Sequence, residues 1–243
     1  AVENSEKTIQ IVRLEVAVSG SLPRRILNIR KIEPDGCDAE KVGGGGVNTN
    51  FKVVCAGEEQ RVVASAHILF DGKTRVGKFS ETARKIIYVP YADGFAEPLS
   101  VLIGSLYIQK RIKEAEEELR RLAIYSRAVS GKLIADVFPE DTLFNLSLIE
   151  HIDHEEFAAR GAAYTGEKVL VQLALNREET FRYATSSAGA LCLMQIMPST
   201  YREIIKNYPA AKLPFRPADG ACEHKESIKA AYLVLDDKLA KMS

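Results

Sequence analysis

Glu178 and the residues that follow it have types and spacing suited to acid catalysis. Glu178 comes after the apolar Leu173 and Leu175 at the expected end of a helix. A carboxyl group in a partly apolar pocket keeps its proton near neutral pH and can donate it to a leaving group. Ser186 and Gln195 follow a short polar loop, and the amide can both donate and accept a hydrogen bond from a ligand. Taken alone, Glu178 fits an ordinary carboxylate on a solvated helix end better than a catalytic acid.

The segment of residues 186–200 resembles a known family signature. It reads SSAGALCLMQIMPST and is similar to the S-x-x-G-A-x-G-L-M-Q-x-M-P-x-T pattern of lytic transglycosylases, the lysozyme-like enzymes that cut bacterial peptidoglycan. Residues 176–181, NREETF, resemble the catalytic segment of the same family, a helix end that carries E-S-x-F. The resemblance covers roughly residues 169–235, about a quarter of the chain.

The resemblance implies a defined reaction at Glu178. These enzymes use one Glu, which protonates the leaving oxygen of a glycosidic bond while the N-acetyl group of the substrate assists at C1. The same Glu then takes the proton of the C6 hydroxyl, which attacks C1 and leaves a 1,6-anhydro product. The bond would be the β-1,4 link between N-acetylmuramic acid and N-acetylglucosamine. No metal and no organic cofactor is implied.

The resemblance also implies a set of substrate-binding residues. Ser186, Gly189 and Gln195 are expected to orient the substrate through polar and close backbone contacts. Tyr183 is a candidate aromatic platform for a sugar, and Met194 is a candidate contact. An apolar residue at helical spacing is more often part of the core, which is the competing interpretation of Met194.

Three departures from the family pattern bear on activity. Glu179 stands where the family has Ser, so a second charge adjoins Glu178. Cys192 replaces the second Gly of the signature, which places a side chain where backbone approaches the substrate. No A-Y-N-x-G segment occurs before Ser243, which leaves open whether the domain is complete at its C terminus and whether it is active.

A second acidic residue, Glu150, is the alternative catalytic acid. It also lies in a helical apolar context, and Glu150-His151 could be a variant of the Glu-Ser pair. Its distance from the signature is long for the motif. His151, His154 and Glu155 form an H-x-x-H-E pattern, whereas zinc protease helices use H-E-x-x-H. We therefore expect a structural or surface role for these residues and no metal site.

The sequence predicts an α+β protein with three parts. Residues 1–95 are expected to form a β-rich module of unknown role, and residues 96–138 a long helical linker. Residues 139–243 are expected to form an all-α, lysozyme-like transglycosylase domain.

Apolar periodicity separates the first part from the rest. Residues 8–18 alternate between apolar and polar types, which predicts a strand, and the segments 51–55 and 61–66 predict a hairpin. From residue 96 the apolar spacing is three to four, and the charge-dense residues 110–121 are expected to be the solvated face of a long helix. Further helices are predicted over residues 143–157, 167–177, 191–205 and 227–239.

Composition limits the classes of partner. Lys plus Arg (33) equals Asp plus Glu (33), so net charge indicates neither nucleic acid nor an anionic membrane as a partner. No apolar run is long enough to span a membrane. The cysteines suggest the pairs Cys37–Cys55 and Cys192–Cys222, with four reduced thiols as the open alternative.

These patterns predict a bacterial envelope enzyme whose partner is the glycan strand of peptidoglycan. Disulfides would agree with a periplasmic or extracellular location, although no signal peptide is present in this chain. Protein partners could bind the N-terminal module or the charged helix. The alternative function is a non-catalytic module that binds peptidoglycan or a partner through the same groove.

Overall fold

The computed structural model describes the chain in several stretches. These are residues 9–19, 26–33, 36–41, 51–55, 61–71, 83–89, 91, 96–182, 184–186 and 188–242. Within the strands of the N-terminal part, and at Glu140, the backbone is described without its side chains.

Six strands are described in the N-terminal part. They are β1 (Ile9–Ser19), β2 (Ile26–Glu33), β3 (Cys37–Lys41), β4 (Phe51–Cys55), β5 (Arg61–Asp71) and β6 (Ala83–Tyr88). One sheet has the order β2-β1-β5-β6, and a second consists of β3 and β4. The pair β1–β5 is parallel and the other pairs are antiparallel.

The predicted hairpin between residues 51–55 and 61–66 is wrong. β4 pairs with β3, and β5 lies between β1 and β6. A Gly-Glu-Glu segment favours a turn locally, but pairing is decided by the neighbours available along the whole strand. In the β3–β4 ladder Cys37 lies opposite Cys55. The side chains of this predicted disulfide lie outside the described residues.

Six helices are described after the strands. They are α1 (Pro98–Arg121), α2 (Glu140–Ile149), α3 (His154–Asn176), α4 (Pro198–Asn207), α5 (Pro217–Gly220) and α6 (His224–Met242). Short 3₁₀ turns cover Ile134–Asp136, Arg177–Glu179 and Pro209–Ala211. None of the helices in the described part of the chain is long and apolar enough to cross a membrane.

The predicted α+β fold class is wrong. Of the residues whose side chains are described, 67% lie in helices and none lies in a strand. The hydrophobic core that these side chains form draws only on helices and on the turns between them. Alternating apolar residues correctly indicated extended backbone, but alternation does not establish a β module packed around its own core.

α1 is part of this helical core, although it was predicted as a linker. Its buried residues Gly104, Ile108, Ile112, Ala115 and Leu119 repeat at intervals of three to four and face the other helices. At Gly104 the helix crosses α3 so closely that a Cβ would lie 1.9 Å from the carbonyl oxygen of Leu170. Over residues 110–121 charged side chains occupy the remaining face, as the sequence predicts. In the first half of α1 that face carries the exposed Leu99, Leu102, Ile103 and Leu106.

The remaining helices differ from prediction mainly at their ends. The predicted helix over residues 143–157 is two helices, because Asp153 caps a new one by accepting a hydrogen bond from the Glu156 N–H at 2.8 Å. α3 is longer than predicted and has a kink at Gly161, where φ is +81°. The predicted helix over residues 191–205 begins only at Pro198, since residues 191–197 form turns.

Two groups of charged residues fasten α6 to its neighbours. The fully buried ammonium of Lys229 contacts Glu118 of α1 at 2.8 Å and Glu226 at 2.8 Å. Near the other end of α6, buried Asp236 accepts hydrogen bonds from the Ser126 hydroxyl, the Arg127 N–H (2.7 Å) and the Tyr208 hydroxyl (2.8 Å). Such buried charges are tolerated because each has several polar partners.

Asp237 extends the second group to the surface. Its carboxylate is 4% exposed and pairs with the Arg127 guanidinium at 2.7 Å. It also accepts from Asn207 at 2.8 Å and contacts Lys241 at 2.6 Å. Burial raises the pKa of Asp237, but the hydrogen bonds from Lys241 and Asn207 outweigh this and lower it. This cluster joins the loop after α1, the end of α4 and the end of α6.

Candidate active site

Glu178 lies on a tight turn at the end of α3. The helix stops after Asn176, and Arg177 takes a positive φ of +48°, a conformation that is uncommon for a residue with a Cβ. The 3₁₀ turn Arg177–Glu179 then carries Glu178. The Asn176 side chain anchors the turn because its amide accepts from the Val89 N–H at 2.6 Å and donates to the Val89 carbonyl at 3.0 Å.

The Glu178 carboxylate contacts residues of α1 and α6. One oxygen is 3.1 Å from Nη1 of Arg111, and the other is 3.9 Å from Nδ1 of His224. The side chain of Glu178 is nevertheless 38% exposed, so a ligand can reach it from solvent.

Tyr107 and His224 form the buried side of this site. The Tyr107 hydroxyl is 2.9 Å from Nδ1 of His224, and Nε2 of His224 is 2.7 Å from the carbonyl oxygen of Thr180. Burial and the negative charge of Glu178 raise the pKa of Tyr107 above its usual range. Burial lowers the pKa of His224, against the opposing influence of Glu178. Tyr107 is therefore a protonated hydroxyl at any pH at which the protein would work.

The second carboxylate at this turn has its own cation. Glu179, which stands where the family has Ser, lies 3.5 Å from Nη1 of Arg182. Arg111 in turn lies between Glu178 and Glu114, whose carboxylate it contacts at 3.0 Å. The two adjacent glutamates thus pair with different arginines, which reduces the repulsion between their charges.

The segment that resembles the family signature folds into two consecutive turns. In the first, the Ser186 hydroxyl oxygen accepts from the Ala190 N–H at 3.0 Å, and Gly189 takes a φ of +95°. In the second, Leu191 and Ile196 exchange backbone hydrogen bonds of 3.1 and 3.2 Å. The Gln195 amide donates to the Cys192 carbonyl at 2.6 Å, so its donor side serves the turn itself.

Cys192 occupies a backbone conformation that suits glycine. Its φ is +56°, in the left-handed region where a Cβ is unfavourable. A glycine, the residue at the matching position of the pattern that this segment resembles, would adopt this conformation without strain. The side chain is used instead in a disulfide with Cys222, which confirms the pair predicted for this half of the chain. The bond ties the second turn to the residues just before His224.

The predicted substrate-binding residues have different degrees of access. Ser186 and Gln195 are partly exposed, whereas Gly189 is buried. Met194 is only 4% exposed and belongs to the core, in line with the competing interpretation of this residue. Tyr183 lies outside the described residues.

Glu150, the alternative acid, lies at the end of α2. It is exposed, yet partial desolvation of its carboxyl group raises its pKa, the direction that an acid catalyst requires. The next residue, His151, stacks on Phe181 with ring centroids 3.5 Å apart and hydrogen-bonds through Nε2 to the Leu193 carbonyl at 2.8 Å. The end of α2 therefore contacts the signature turns.

His151 has a structural role in this arrangement. Burial lowers its pKa to about 3, although the hydrogen bond to Leu193 opposes this, so the ring is neutral near pH 7. Since a carbonyl only accepts, Nε2 carries the ring proton and is not free to bind a metal. Within the described part of the chain, no group of three or more His, Cys, Asp or Glu residues is placed to hold a metal ion.

Strained backbone is concentrated around the candidate site. Six non-glycine residues in the described stretches have a positive φ, and Arg177, Phe181, Cys192 and Gln195 are four of them. Such conformations cost roughly 1–3 kcal/mol each and persist where surrounding contacts impose them. Beside Arg111, an open groove with a volume of about 420 Å³ runs along α1, and its lining includes Glu114, Glu118, Arg121 and Lys225.

Sequence reasoning missed three residues of the site. Arg111 lies within the charge-dense residues 110–121, and His224 is an isolated histidine in the sequence, with no motif around it. Tyr107 carried no signal, because it is separated by 117 residues from His224. Comparison of the chain with family models, with characterised proteins and with solved structures found no match.

Proposed function

We propose that this chain is a peptidoglycan lytic transglycosylase in which Glu178 is the single catalytic acid and base. The observation that carries the proposal is the setting of Glu178. Its side chain is 38% exposed on a strained turn, its carboxylate lies 3.1 Å from Arg111 and 3.9 Å from Nδ1 of His224, and the signature turns follow it. A reactive carboxyl group needs both access for the substrate and fixed partners that orient it.

The proposed reaction needs only one carboxyl group from the protein. Glu178 donates its proton to the oxygen that links C1 of N-acetylmuramic acid to C4 of N-acetylglucosamine, and the C1–O bond breaks. The N-acetyl group stabilises the positive charge that develops at C1. The C6 hydroxyl then forms a bond to C1 and returns its proton to Glu178, so the enzyme ends the cycle in its starting state.

Arg111 is the group that a substrate would have to displace or share. It contacts Glu178 at 3.1 Å and Glu114 at 3.0 Å and is itself 21% exposed. An arginine with two acidic partners can keep one contact when it gives up the other. A neutral glycan oxygen that enters beside Glu178 would thus leave Arg111 paired with Glu114.

Two further observations support the proposal. Ser186 and Gln195 lie partly exposed on turns whose backbone is fixed by hydrogen bonds, which suits residues that orient a substrate. The Cys192–Cys222 disulfide agrees with a periplasmic or extracellular enzyme, because such bonds persist in oxidising compartments.

Glu150 remains the second candidate for the acid. Its raised pKa and its position beside His151, which contacts the Leu193 carbonyl, favour it on chemical grounds. It lacks the arginine and the buried histidine that lie beside Glu178. The two candidates predict opposite results for the variants Glu178→Gln and Glu150→Gln.

A non-catalytic peptidoglycan-binding module is the alternative function. The observation in its favour is the ion pair between Arg111 and Glu178, which occupies one oxygen of the carboxylate. In that case the protein would bind the glycan and release no fragments.

The proposal is tested by incubating insoluble peptidoglycan with the wild type, Glu178→Gln and Glu150→Gln. Bound protein is measured by co-sedimentation and released fragments by chromatography of the supernatant. We expect all three proteins to bind and only Glu178→Gln to release nothing. Loss of release in Glu150→Gln alone would transfer the catalytic role to that residue. Binding without release by the wild type would favour the non-catalytic module.

A further inference from the structure

Side chains at the start of α6, residues 222–227, hold the signature turns in place. Cys222 forms the disulfide with Cys192, and the Ser227 hydroxyl oxygen accepts a hydrogen bond from the Met194 N–H at 3.3 Å. The Ser227 side chain is fully buried, so water does not compete for this contact. This short stretch therefore fastens the signature turns at two points.

The same stretch also holds the turn that carries Glu178. Nε2 of His224 is 2.7 Å from the carbonyl oxygen of Thr180, the second residue after Glu178. Thr180 is fully buried; its hydroxyl donates to the Gln172 carbonyl at 3.0 Å, and its N–H donates to the Arg177 carbonyl at 3.0 Å. His224 supplies the partner for the remaining polar group of Thr180, so all three groups are satisfied.

The direction of the hydrogen bonds at His224 follows from the chemistry of the atoms. A carbonyl oxygen only accepts, so Nε2 of His224 carries a proton and donates to Thr180. His224 is fully buried, and burial lowers its pKa, so near pH 7 the ring is neutral and Nδ1 has no proton. Nδ1 then accepts from the Tyr107 hydroxyl, which is 2.9 Å away. Tyr107 thereby keeps the ring proton on the nitrogen that faces Thr180.

We propose that His224 is a positioning residue, which holds the turn of Glu178 in a fixed place against the signature turns. This role rests on the proposed function, because it concerns the place of the catalytic acid. The acid and the residues expected to orient the substrate, Ser186 and Gln195, are aligned through one helix start. Such alignment matters because a misplacement of about 1 Å can lower a rate about 100-fold.

A second histidine joins the same two segments. The ring of His151 stacks on Phe181 at a centroid distance of 3.5 Å, and its Nε2 is 2.8 Å from the carbonyl oxygen of Leu193. Phe181 belongs to the segment that follows Glu178, and Leu193 belongs to the signature turns. Loss of His224 alone therefore leaves the two segments in contact, and we expect variants at this position to fold.

Four variants separate a positioning role from a purely structural one. His224→Leu removes the donor to Thr180, whereas His224→Gln keeps an amide N–H that can reach the place of Nε2. Tyr107→Phe removes only the hydroxyl that donates to Nδ1. Tyr201→Phe is the matched control, because it also removes a buried side-chain donor from a backbone carbonyl, that of Pro214 at 3.1 Å.

The variants are compared by thermal unfolding and by the kinetics of cleavage of soluble peptidoglycan strands. We expect His224→Leu to lower kcat by about 100-fold with KM nearly unchanged, because the acid is misplaced while the substrate still binds. His224→Gln should retain most of the wild-type kcat, and Tyr107→Phe should lie between the two. Tyr201→Phe should lower the unfolding temperature by an amount similar to His224→Leu and keep the kcat of the wild type.

The protonation of His224 is measured independently of cleavage. Nuclear magnetic resonance of protein labelled with ¹⁵N in the histidine rings distinguishes a protonated from an unprotonated ring nitrogen. We expect Nε2 of His224 to be protonated and Nδ1 to be unprotonated in the wild type from about pH 5 to pH 8. In Tyr107→Phe the Nδ1 signal should shift, since that nitrogen loses its donor.

Several outcomes would overturn the positioning role: a proton on Nδ1 of His224 in the wild type, an unchanged kcat in His224→Leu, or equal losses of kcat in His224→Leu and His224→Gln. These outcomes leave the proposed function intact if the wild type forms anhydro products. A wild type with the expected ring protonation that cleaves no peptidoglycan would reject the proposed function, while the contact between His224 and Thr180 would stand.

Discussion

The molecule contains two clusters built from the same kinds of residue. In one, Arg111 lies over the Tyr107 ring at 5.5 Å and pairs with Glu178. In the other, Arg127 lies over the Tyr208 ring at 5.6 Å and pairs with Asp237. The side chain of Glu178 is 38% exposed, whereas that of Asp237 is 4% exposed.

The two clusters differ in how many hydrogen-bond donors their carboxylates have and in how much of each carboxylate is open to solvent. Asp236 and Asp237 receive donors from three separate parts of the chain, and little of either is open to solvent. Glu178 has fewer donors and lies on a turn where Arg177 is strained. A saturated buried cluster stabilises the fold, whereas a partly open one on strained backbone is available for chemistry.

The largest effect on stability should come from Asp236→Ala. This change leaves the Tyr208 hydroxyl, the Arg127 N–H and the Ser126 hydroxyl without their acceptor. We expect a loss of about 3–5 kcal/mol in the free energy of unfolding, measured by urea denaturation. Glu178→Ala should cost less than about 1 kcal/mol. Similar losses for both variants would remove the distinction between the clusters.

The next largest effect should follow loss of the Cys192–Cys222 disulfide. The bond closes a loop with a sequence separation of 30 residues. Loop-closure entropy predicts that Cys192→Ala with Cys222→Ala lowers the free energy of unfolding by about 3–4 kcal/mol.

A glycine at position 192 provides the control for this second prediction. Since Cys192 has a φ of +56°, Cys192→Gly with Cys222→Ala should recover roughly 0.5–1 kcal/mol relative to the double alanine variant. Equal thermal stability of the two double variants would show that the positive φ is not maintained without the disulfide.

The pH dependence of stability should come from the ion pairs of Glu118 with Lys225 and Lys229, which lower the pKa of that carboxyl group. Partial burial raises the pKa of Glu118, but the hydrogen bonds from Lys225 and Lys229 outweigh it and lower the pKa to about 2. A depressed folded-state pKa stabilises the protein above the unfolded value near 4.5, and this contribution is lost as the pH falls towards 2. The loss should be at most about 3 kcal/mol.

Thermal unfolding from pH 6 to pH 2 checks this prediction. The unfolding temperature of Glu118→Gln should fall less between pH 6 and pH 2 than that of the wild type. Glu114 is more exposed than Glu118, so Glu114→Gln should show the same fall as the wild type. If the unfolding temperature of Glu118→Gln falls as much as that of the wild type, other carboxylates are responsible for the loss of stability in acid.

The smallest effect on stability should come from Arg111→Gln. Its contacts with Glu114 and Glu178 are partly exposed, so their removal should cost less than about 1 kcal/mol. Arg127→Gln should cost more, because the carboxylate of Asp237, which is only 4% exposed, loses a charged partner. If the two variants unfold at the same urea concentration, the different burial of Glu178 and Asp237 does not determine how much their ion pairs stabilise the fold.

Local features of the fold could be predicted from the sequence. The spacing of Ile112, Ala115 and Leu119 predicts the buried face in the second half of α1, and Pro98 predicts its first turn. In the first half the same spacing is misleading, because its apolar residues are exposed, namely Leu99, Leu102, Ile103 and Leu106. The pair Cys192–Cys222 is confirmed. The predicted α+β fold class is wrong, because the alternation of residues 8–18 indicates extended backbone but does not indicate what that backbone packs against. The hairpin is wrong for the same reason, since strand partners are chosen over the whole sheet.

The site could be predicted only where it is continuous in sequence. Glu178 and residues 186–195 are identified by a local pattern, and their roles stay predictions. Tyr107, Arg111 and His224 reach Glu178 from helices far away in the chain, and no local pattern distinguishes them from core or surface residues. The close approach of α1 and α3 at Gly104, which brings α1 to the site, likewise becomes visible only in three dimensions.

The central claim is tested most directly by mass spectrometry of peptidoglycan fragments formed by the wild type, Glu178→Gln and Glu179→Gln. Glu179 is the matched control, because it is the adjacent carboxylate and pairs with Arg182. We predict anhydro-muropeptides, lighter by one water than hydrolysed fragments, from the wild type and Glu179→Gln, and none from Glu178→Gln. Anhydro products from Glu178→Gln at the wild-type rate, hydrated reducing ends, or no product from the wild type would contradict the claim.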